Sequence, residues 1–167
     1  MNEQLLNLAR EVGARLAARG EWLATAESCT GGLIAAAVTE IAGSSGWFGY
    51  GFVTYSNEAK QDLLCVPAAS LGLHGAVSEH VVREMAAGAC RRAGAQWSVA
   101  VSGIAGPGGG SEAKPVGTVW FGLCGPDGLA QAFVRHFDGD RGAVRQQTAI
   151  EALTVLLWHL ERRQALA

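Results

Sequence analysis

Apolar residues recur at Leu5, Ala9, Val12 and Leu16, the spacing of one helical face, and Gly20 is placed to end that helix. Trp22–Ala26 reads as a short strand, and Gly31-Gly32 leads into a helix over Leu33–Ile41. Gly43-Ser44-Ser45-Gly46 reads as a loop, Phe48–Tyr55 as a strand and Asn57–Leu64 as a short helix. Val82, Met85, Ala86, Ala89, Cys90 and Ala93 mark one face of a longer helix, with Ser78 as its cap. Ser98–Val101 is a buried strand, followed by a glycine-rich loop over 103–115. Val116–Leu123 and Leu129–Phe137 flank Gly125-Pro126-Asp127-Gly128, the turn of a hairpin. A last helix over 141–163 places Ile150, Leu153, Leu157 and Leu160 on one face. Helices and strands alternate and then two strands come together, which predicts an α/β fold: a three-layer α/β/α sandwich with a mixed, mostly parallel sheet. No internal repeat or linker interrupts the pattern, and the 167 residues predict a single domain over 1–167.

Composition narrows the class. Apolar residues make up 49% and charged residues 17%, so the chain has the means to build a core and is not disordered. Net charge is −2. The first 83 residues carry 5 basic and 8 acidic groups and the rest 8 and 7, so neither half is a basic tail and nucleic acid is not an expected partner. No apolar run approaches the ~18 residues of a membrane span. Met1-Asn2-Glu3-Gln4 lacks the start of a signal peptide. Cys29, Cys65, Cys90 and Cys124 are far apart in sequence, which argues against a disulfide framework or zinc ribbon and for a cytoplasmic location. Glycine is in excess, with 23 residues where average usage gives about 12.

Three segments have the makings of a site. Glu27-Ser28-Cys29-Thr30-Gly31-Gly32 lies between a strand and a helix, where free N–H groups suit an anion or oxyanion. It holds two nucleophile candidates, Ser28 and Cys29; equally, Ser28 or Thr30 reads as a helix cap and Cys29 as a small core residue. Tyr55-Ser56-Asn57-Glu58-Ala59-Lys60 places a phenol and an ammonium five residues apart. A buried Lys60 is a general base, whereas an exposed one is an ordinary helix lysine with Ser56 or Asn57 as cap. Ser102-Gly103-Ile104-Ala105-Gly106-Pro107-Gly108-Gly109-Gly110 follows an apolar strand and offers backbone donors to a phosphate or carboxylate; otherwise it is a mobile surface loop. No phosphate-loop, dinucleotide or zinc motif occurs among these segments or the four histidines, and no metal or cofactor is expected. Ser111-Glu112-Ala113-Lys114 fits S-x-x-K, but glycines before it and Pro115 after it deny it the helix that motif needs.

Read together, ESCTGG at 27–32, YSNEAK at 55–60, HGAVSE at 74–79, SGIAGPGGG at 102–110 and KPVGTVWFGL at 114–123 resemble the CinA C-terminal domain family, in its stand-alone form. Five motifs in order make the resemblance specific, and with the flanking helices it covers nearly the whole chain. It implies the α/β/α sandwich of that family. It also implies an amidohydrolase reaction, in which nicotinamide mononucleotide and water give nicotinic acid mononucleotide and ammonia in pyridine-nucleotide salvage. Carried over by position, the family's serine is Ser28, its lysine Lys60 and its tyrosine Tyr55. The substrate is expected against Glu27, Thr30, Gly31, Gly32, Ser102, Gly103, Gly106, Gly108, Gly109 and Arg141, with Arg145 and Lys114 as further partners for the phosphate. The competing reading is a non-catalytic nucleotide-binding or regulatory module of the competence/damage-inducible type. The expected partner is a small-molecule nucleotide, and the expected assembly a homodimer, the commonest closed symmetry.

Overall fold

The computed structural model describes the backbone of residues 1–166 and the side chains of residues 1–163. In chain order the elements are α1 (Glu3–Arg19), β1 (Leu23–Glu27), α2 (Leu33–Thr39), a 3-10 turn (Ser44–Gly46), β2 (Phe48–Val53), α3 (Asn57–Leu64), α4 (Ala68–His74), α5 (Glu79–Ala93), β3 (Trp97–Gly103), β4 (Thr118–Cys124), β5 (Ala130–His136) and α6 (Arg141–Leu166). The helix α4 had no counterpart in the apolar pattern. It has two turns, starts after Pro67, contains Gly72 and buries only Leu71, so no face repeats often enough to mark it. The strand expected to run to Tyr55 ends at Val53, the last residue paired with β1; the Thr54 amide makes the final ladder bond, to the Glu27 carbonyl at 2.8 Å, and Ser56 then caps the next helix.

The five strands form one sheet in the order β2-β1-β3-β4-β5. β1 pairs in parallel with β2 and β3, while β3–β4 and β4–β5 are antiparallel. Four strands therefore point one way and β4 the other, the mixed sheet expected. The hairpin turn is closed by Gly125 N–H to the Leu129 carbonyl at 3.0 Å.

The two faces of the sheet differ in side-chain size. Leu23, Val99, Val101, Val119, Phe121 and Leu123 face α1, α2 and α6 in one core layer. Ala24, Ala26 and Ala100 face α3, α4 and α5 in the other. Small residues let α5 lie close to the strands. The Ser98 hydroxyl donates to the Ala86 carbonyl at 2.6 Å, and a Cβ on Gly122 would stand 2.2 Å from the Val82 carbonyl oxygen. On the opposite face α1 and α6 lie side by side and run in the same direction. Asn2 and Gly142 wall one cavity where both begin, and Arg15 pairs with Glu161 at 3.0 Å near where both end. Among the described residues no helix is long and apolar enough to cross a membrane.

Candidate active site

Chain connections leave β1 toward β2 on one side and β3 toward β4 on the other, so the sheet order diverges between β1 and β3. Ligands of open α/β sheets bind at such a point, beyond the carboxyl ends of the strands. The loop after β1 starts there. Its Ser28 amide donates to the Val101 carbonyl of β3 at 3.1 Å. Gly31 and Gly32 have φ of 58° and 97°, a left-handed backbone that glycine adopts without strain.

Gly32, not Ser28 or Thr30, is the N-cap of α2, and it has no side chain with which to cap. Glu27 does that work. One carboxylate oxygen accepts from the Thr30 hydroxyl at 2.6 Å and the Ile34 amide at 2.9 Å; the other accepts from the Ala35 amide at 3.0 Å. Glu27 is fully buried, and an anion at a helix N-terminus complements the dipole. Ser28 and Thr30 are thus free of the capping role, and Ser28 retains 8% exposure.

Lys60 comes from the neighbouring strand connection. The Ser56 hydroxyl accepts from the Ala59 amide at 3.0 Å and caps α3, as one reading of the segment had it. The helix then turns Lys60 and Leu64, four residues apart, toward the core. Lys60 is 1% exposed, not solvated. Its Nζ donates to the Thr54 carbonyl at 2.7 Å, lies 3.5 Å from the Tyr55 and Ser56 carbonyls, and lies 3.1 Å from Ser28 Oγ. Burial pushes its pKa below the usual 10.5. Cys29, beside Ser28, is 5% exposed, and burial foremost pushes its thiol up to about 11.

Two arginines of α6 reach the glycine-rich loop, Tyr55 and the turn after β1. Arg141 donates to the Tyr55 hydroxyl and to the Gly106 carbonyl, each at 2.9 Å, so Tyr55, Arg141 and Gly106 are tied together at the rim. Tyr55 is 61% exposed. One turn on, Arg145 donates to the Cys29 carbonyl at 3.1 Å and the Thr30 carbonyl at 2.9 Å. The loop after β3 packs firmly at its ends. Ser102 is buried, a Cβ on Gly103 would meet Val119 at 2.6 Å, and one on Gly106 would meet Val116 at 2.5 Å. Gly108 faces open space, and the Gly109 Cβ position adjoins only Ile104. Lys114 points elsewhere, donating to the His74 carbonyl at 2.8 Å. Ser28, Lys60, Glu27 and the 30–32 turn are therefore one unit, and Tyr55, Arg141 and Gly106 are a second. No sequence signal marks the Thr54 carbonyl, which is a backbone group, or the capping role of Glu27, which sits five residues ahead of the N-cap position.

The CinA C-terminal domain family matches residues 5–160. The nicotinamide-nucleotide amidohydrolase PncC of Enterobacter agglomerans is 58% identical over 158 residues, covering 94% of this chain and 96% of that protein. PncC of Escherichia coli K12 is 54% identical over 155 residues, covering 93% and 94%. A CinA-like protein of Anaeromyxobacter dehalogenans is 54% identical over 145 residues, 87% of this chain but 35% of that longer protein. Among solved structures, the competence/damage inducible protein CihA from Agrobacterium tumefaciens superposes with a TM-score of 0.92 at 44% identity, covering 96% of this chain and 98% of that one. A CinA superfamily protein from Klebsiella pneumoniae gives 0.90 at 41% identity, covering 97% and 99%. With the family's domain running along nearly its whole length, this chain belongs to the CinA C-terminal domain family.

Proposed function

We propose that the chain is an amidohydrolase that converts nicotinamide mononucleotide to nicotinic acid mononucleotide and ammonia, with Ser28 as nucleophile and Lys60 as general base. The names of the PncC relatives support the substrate. The observation that carries the chemistry is the 3.1 Å approach of a buried lysine amine to the Ser28 hydroxyl. A carboxamide is a poor electrophile and needs an activated nucleophile. As a neutral amine, Lys60 has two N–H bonds and one lone pair. The carbonyls of Thr54, Tyr55 and Ser56 take the N–H bonds. The lone pair is then left for the Ser28 proton. Ser28 Oγ bonds to the carboxamide carbon, Lys60 takes the proton, and the tetrahedral intermediate expels ammonia after protonation through the Tyr55 phenol. Water, deprotonated by Lys60, then cleaves the acyl-enzyme and returns Ser28.

The developing oxyanion is assigned to amides of the 30–32 turn. Within that turn the Gly31 amide is engaged by the Ser28 carbonyl, whereas the Thr30 and Gly32 amides have no partner among the described residues. Peptide planarity sets each N–H opposite the preceding carbonyl, so Arg145, by holding the Cys29 carbonyl, turns the Thr30 amide the other way. Each such donor is worth about 10²–10³ in rate. The phosphate is assigned to Arg141 with the amides around Gly106, Gly108 and Gly109, Ser102 and Gly103 shaping the floor. We read the protein as a single-domain cytoplasmic homodimer acting in nucleotide salvage; light scattering on the purified chain tests the dimer.

A regulatory nucleotide-binding module would have no use for a buried lysine against a serine hydroxyl. The deciding measurement is ammonia release from nicotinamide mononucleotide. The wild type is expected to release one ammonia per nicotinic acid mononucleotide formed, and Ser28→Ala to lose this by at least about 10³-fold. A folded Ser28→Ala variant of near-normal activity overturns the reading.

A further inference from the structure

A second pair of reactive groups lies on the α5 face of the sheet. Cys124 is the last residue of β4, and Ser98 stands directly across from it in the β3–β4 ladder. The Ser98 hydroxyl, in turn, binds the Ala86 carbonyl, one turn before Cys90 in α5. Ser98 is thus a common neighbour that brings the last turn of α5 over the end of β4. Cys90 and Cys124 therefore approach the same residue, Ser98, from the helix and from the strand. Both cysteines are free and half-buried, so small reagents have access. Thirty-four positions separate them in the chain, which is why their sequence spacing gave no sign of a pair. Ser98 lies at the opposite end of β3 from Ser102, away from Ser28 and Lys60.

We propose that Cys90 and Cys124 are a redox modification site that closes to a reversible intramolecular disulfide on exposure to a low-molecular-weight disulfide such as oxidised glutathione. The neighbouring Cys124 foremost, with Ser98 and Arg91 assisting against burial, holds Cys90 below the ordinary thiol range; the neighbouring Cys90 and burial raise Cys124. Cys90 is therefore the attacking group. Its thiolate displaces one glutathione thiolate and forms a mixed disulfide. Cys124 then gives up its proton and attacks the Cys90 sulfur, releasing the second glutathione. Two thiols are oxidised, one glutathione disulfide is reduced, and two glutathione thiols leave with the two protons.

The test treats the full chain with oxidised glutathione, quenches with acid, alkylates free thiols and maps peptides by mass spectrometry. Exposed Cys65 and buried Cys29 are internal controls. The expected result is a Cys90–Cys124 cross-linked peptide that dithiothreitol abolishes. Cys124→Ser should trap the glutathione adduct on Cys90. The proposal fails if Cys90 and Cys124 remain alkylatable after Cys65 has reacted fully, or if glutathione persists on Cys90 in the wild type. The readout does not involve amide hydrolysis, so it stands or falls separately from the catalytic reading.

Discussion

The Lys60 amine lies 3.1 Å from the Ser28 hydroxyl, although 32 residues separate the two in the chain. They meet because β1 and β2 are parallel neighbours, which puts the connections leaving both strands at the same edge of the sheet. Lys60 works as a base only when neutral, and burial lowers its pKa. The expected kcat/KM profile rises with pH to a plateau, with a midpoint below the 10.5 of an ordinary lysine. Lys60→Met should be inactive at every pH. Stability supplies an independent readout. The unfolded chain binds the Lys60 proton more tightly than the native one, so between the native and the ordinary pKa wild-type stability rises with pH. Denaturant unfolding should show wild type gaining on Lys60→Met as pH rises toward 10.5, and no such trend would argue against a lowered pKa.

Cys29 is adjacent to Ser28, and the proposed reaction gives it no part. A thiol raised to about 11 stays protonated at neutral pH. Cys29→Ala is expected to keep kcat within about threefold and to cost about 1 kcal/mol of stability, as small core truncations do. Iodoacetamide at pH 8 should label Cys65 well before Cys29. Full inactivation of a folded Cys29→Ala would transfer the nucleophile role to the thiol.

Glu27 holds the turn that is assigned the oxyanion. Glu27→Gln keeps a carbonyl for Thr30 and Ile34 but sets an NH2 group against the Ala35 amide. The expected effect is a fall in kcat of about 10-fold or more with KM little changed, since the loss falls on the transition state. Thr30→Val should behave similarly and Thr30→Ser should restore most of the rate. Equal losses in the two Thr30 variants would remove the hydroxyl from the argument.

Arg141 and Arg145, one turn apart, are assigned different work. Arg141→Gln should raise KM much more for the mononucleotide than for the phosphate-free riboside, with any fall in kcat through Tyr55 the same for both. Arg145→Gln, which frees the Cys29 and Thr30 carbonyls, should lower kcat for both. Steady-state kinetics on the two substrates separates these outcomes.

The close seat of α5 sets a limit on substitution. A Cβ at Gly88 would lie 2.1 Å from the Leu64 carbonyl oxygen, at the end of the helix that bears Lys60. Gly88→Ala is expected to destabilise by about 2 kcal/mol, the scale of an overpacked core, and to disturb Lys60 as α3 shifts. Thermal unfolding together with kcat checks both effects.

Much of the architecture was legible in the sequence because period and punctuation agreed. Leu5 to Leu16 followed by Gly20, and Ser78 ahead of the Val82–Ala93 face, marked helices that the structure shows with those caps. Helix α4 escaped because a two-turn element with one buried residue has no period. For the site, local sequence gave the segments and not their pairing. That Ser28 meets Lys60 depends on strand adjacency, which no spacing declares, and came only with the family resemblance. The lysine's strongest partner, the Thr54 carbonyl, is a backbone group that any residue would offer.

The shared direction of α1 and α6 has a practical consequence. Both start beside the cavity of about 350 Å³ walled by Met1, Asn2, Leu33, Gly142 and Arg145. Both run from there to the opposite end of the molecule. Anything joined ahead of Met1, whether an affinity tag or a fused protein, issues next to the arginine that braces the Cys29–Thr30 turn, whereas a fusion after α6 leaves from the remote end. Engineering of this chain therefore belongs at its carboxyl terminus.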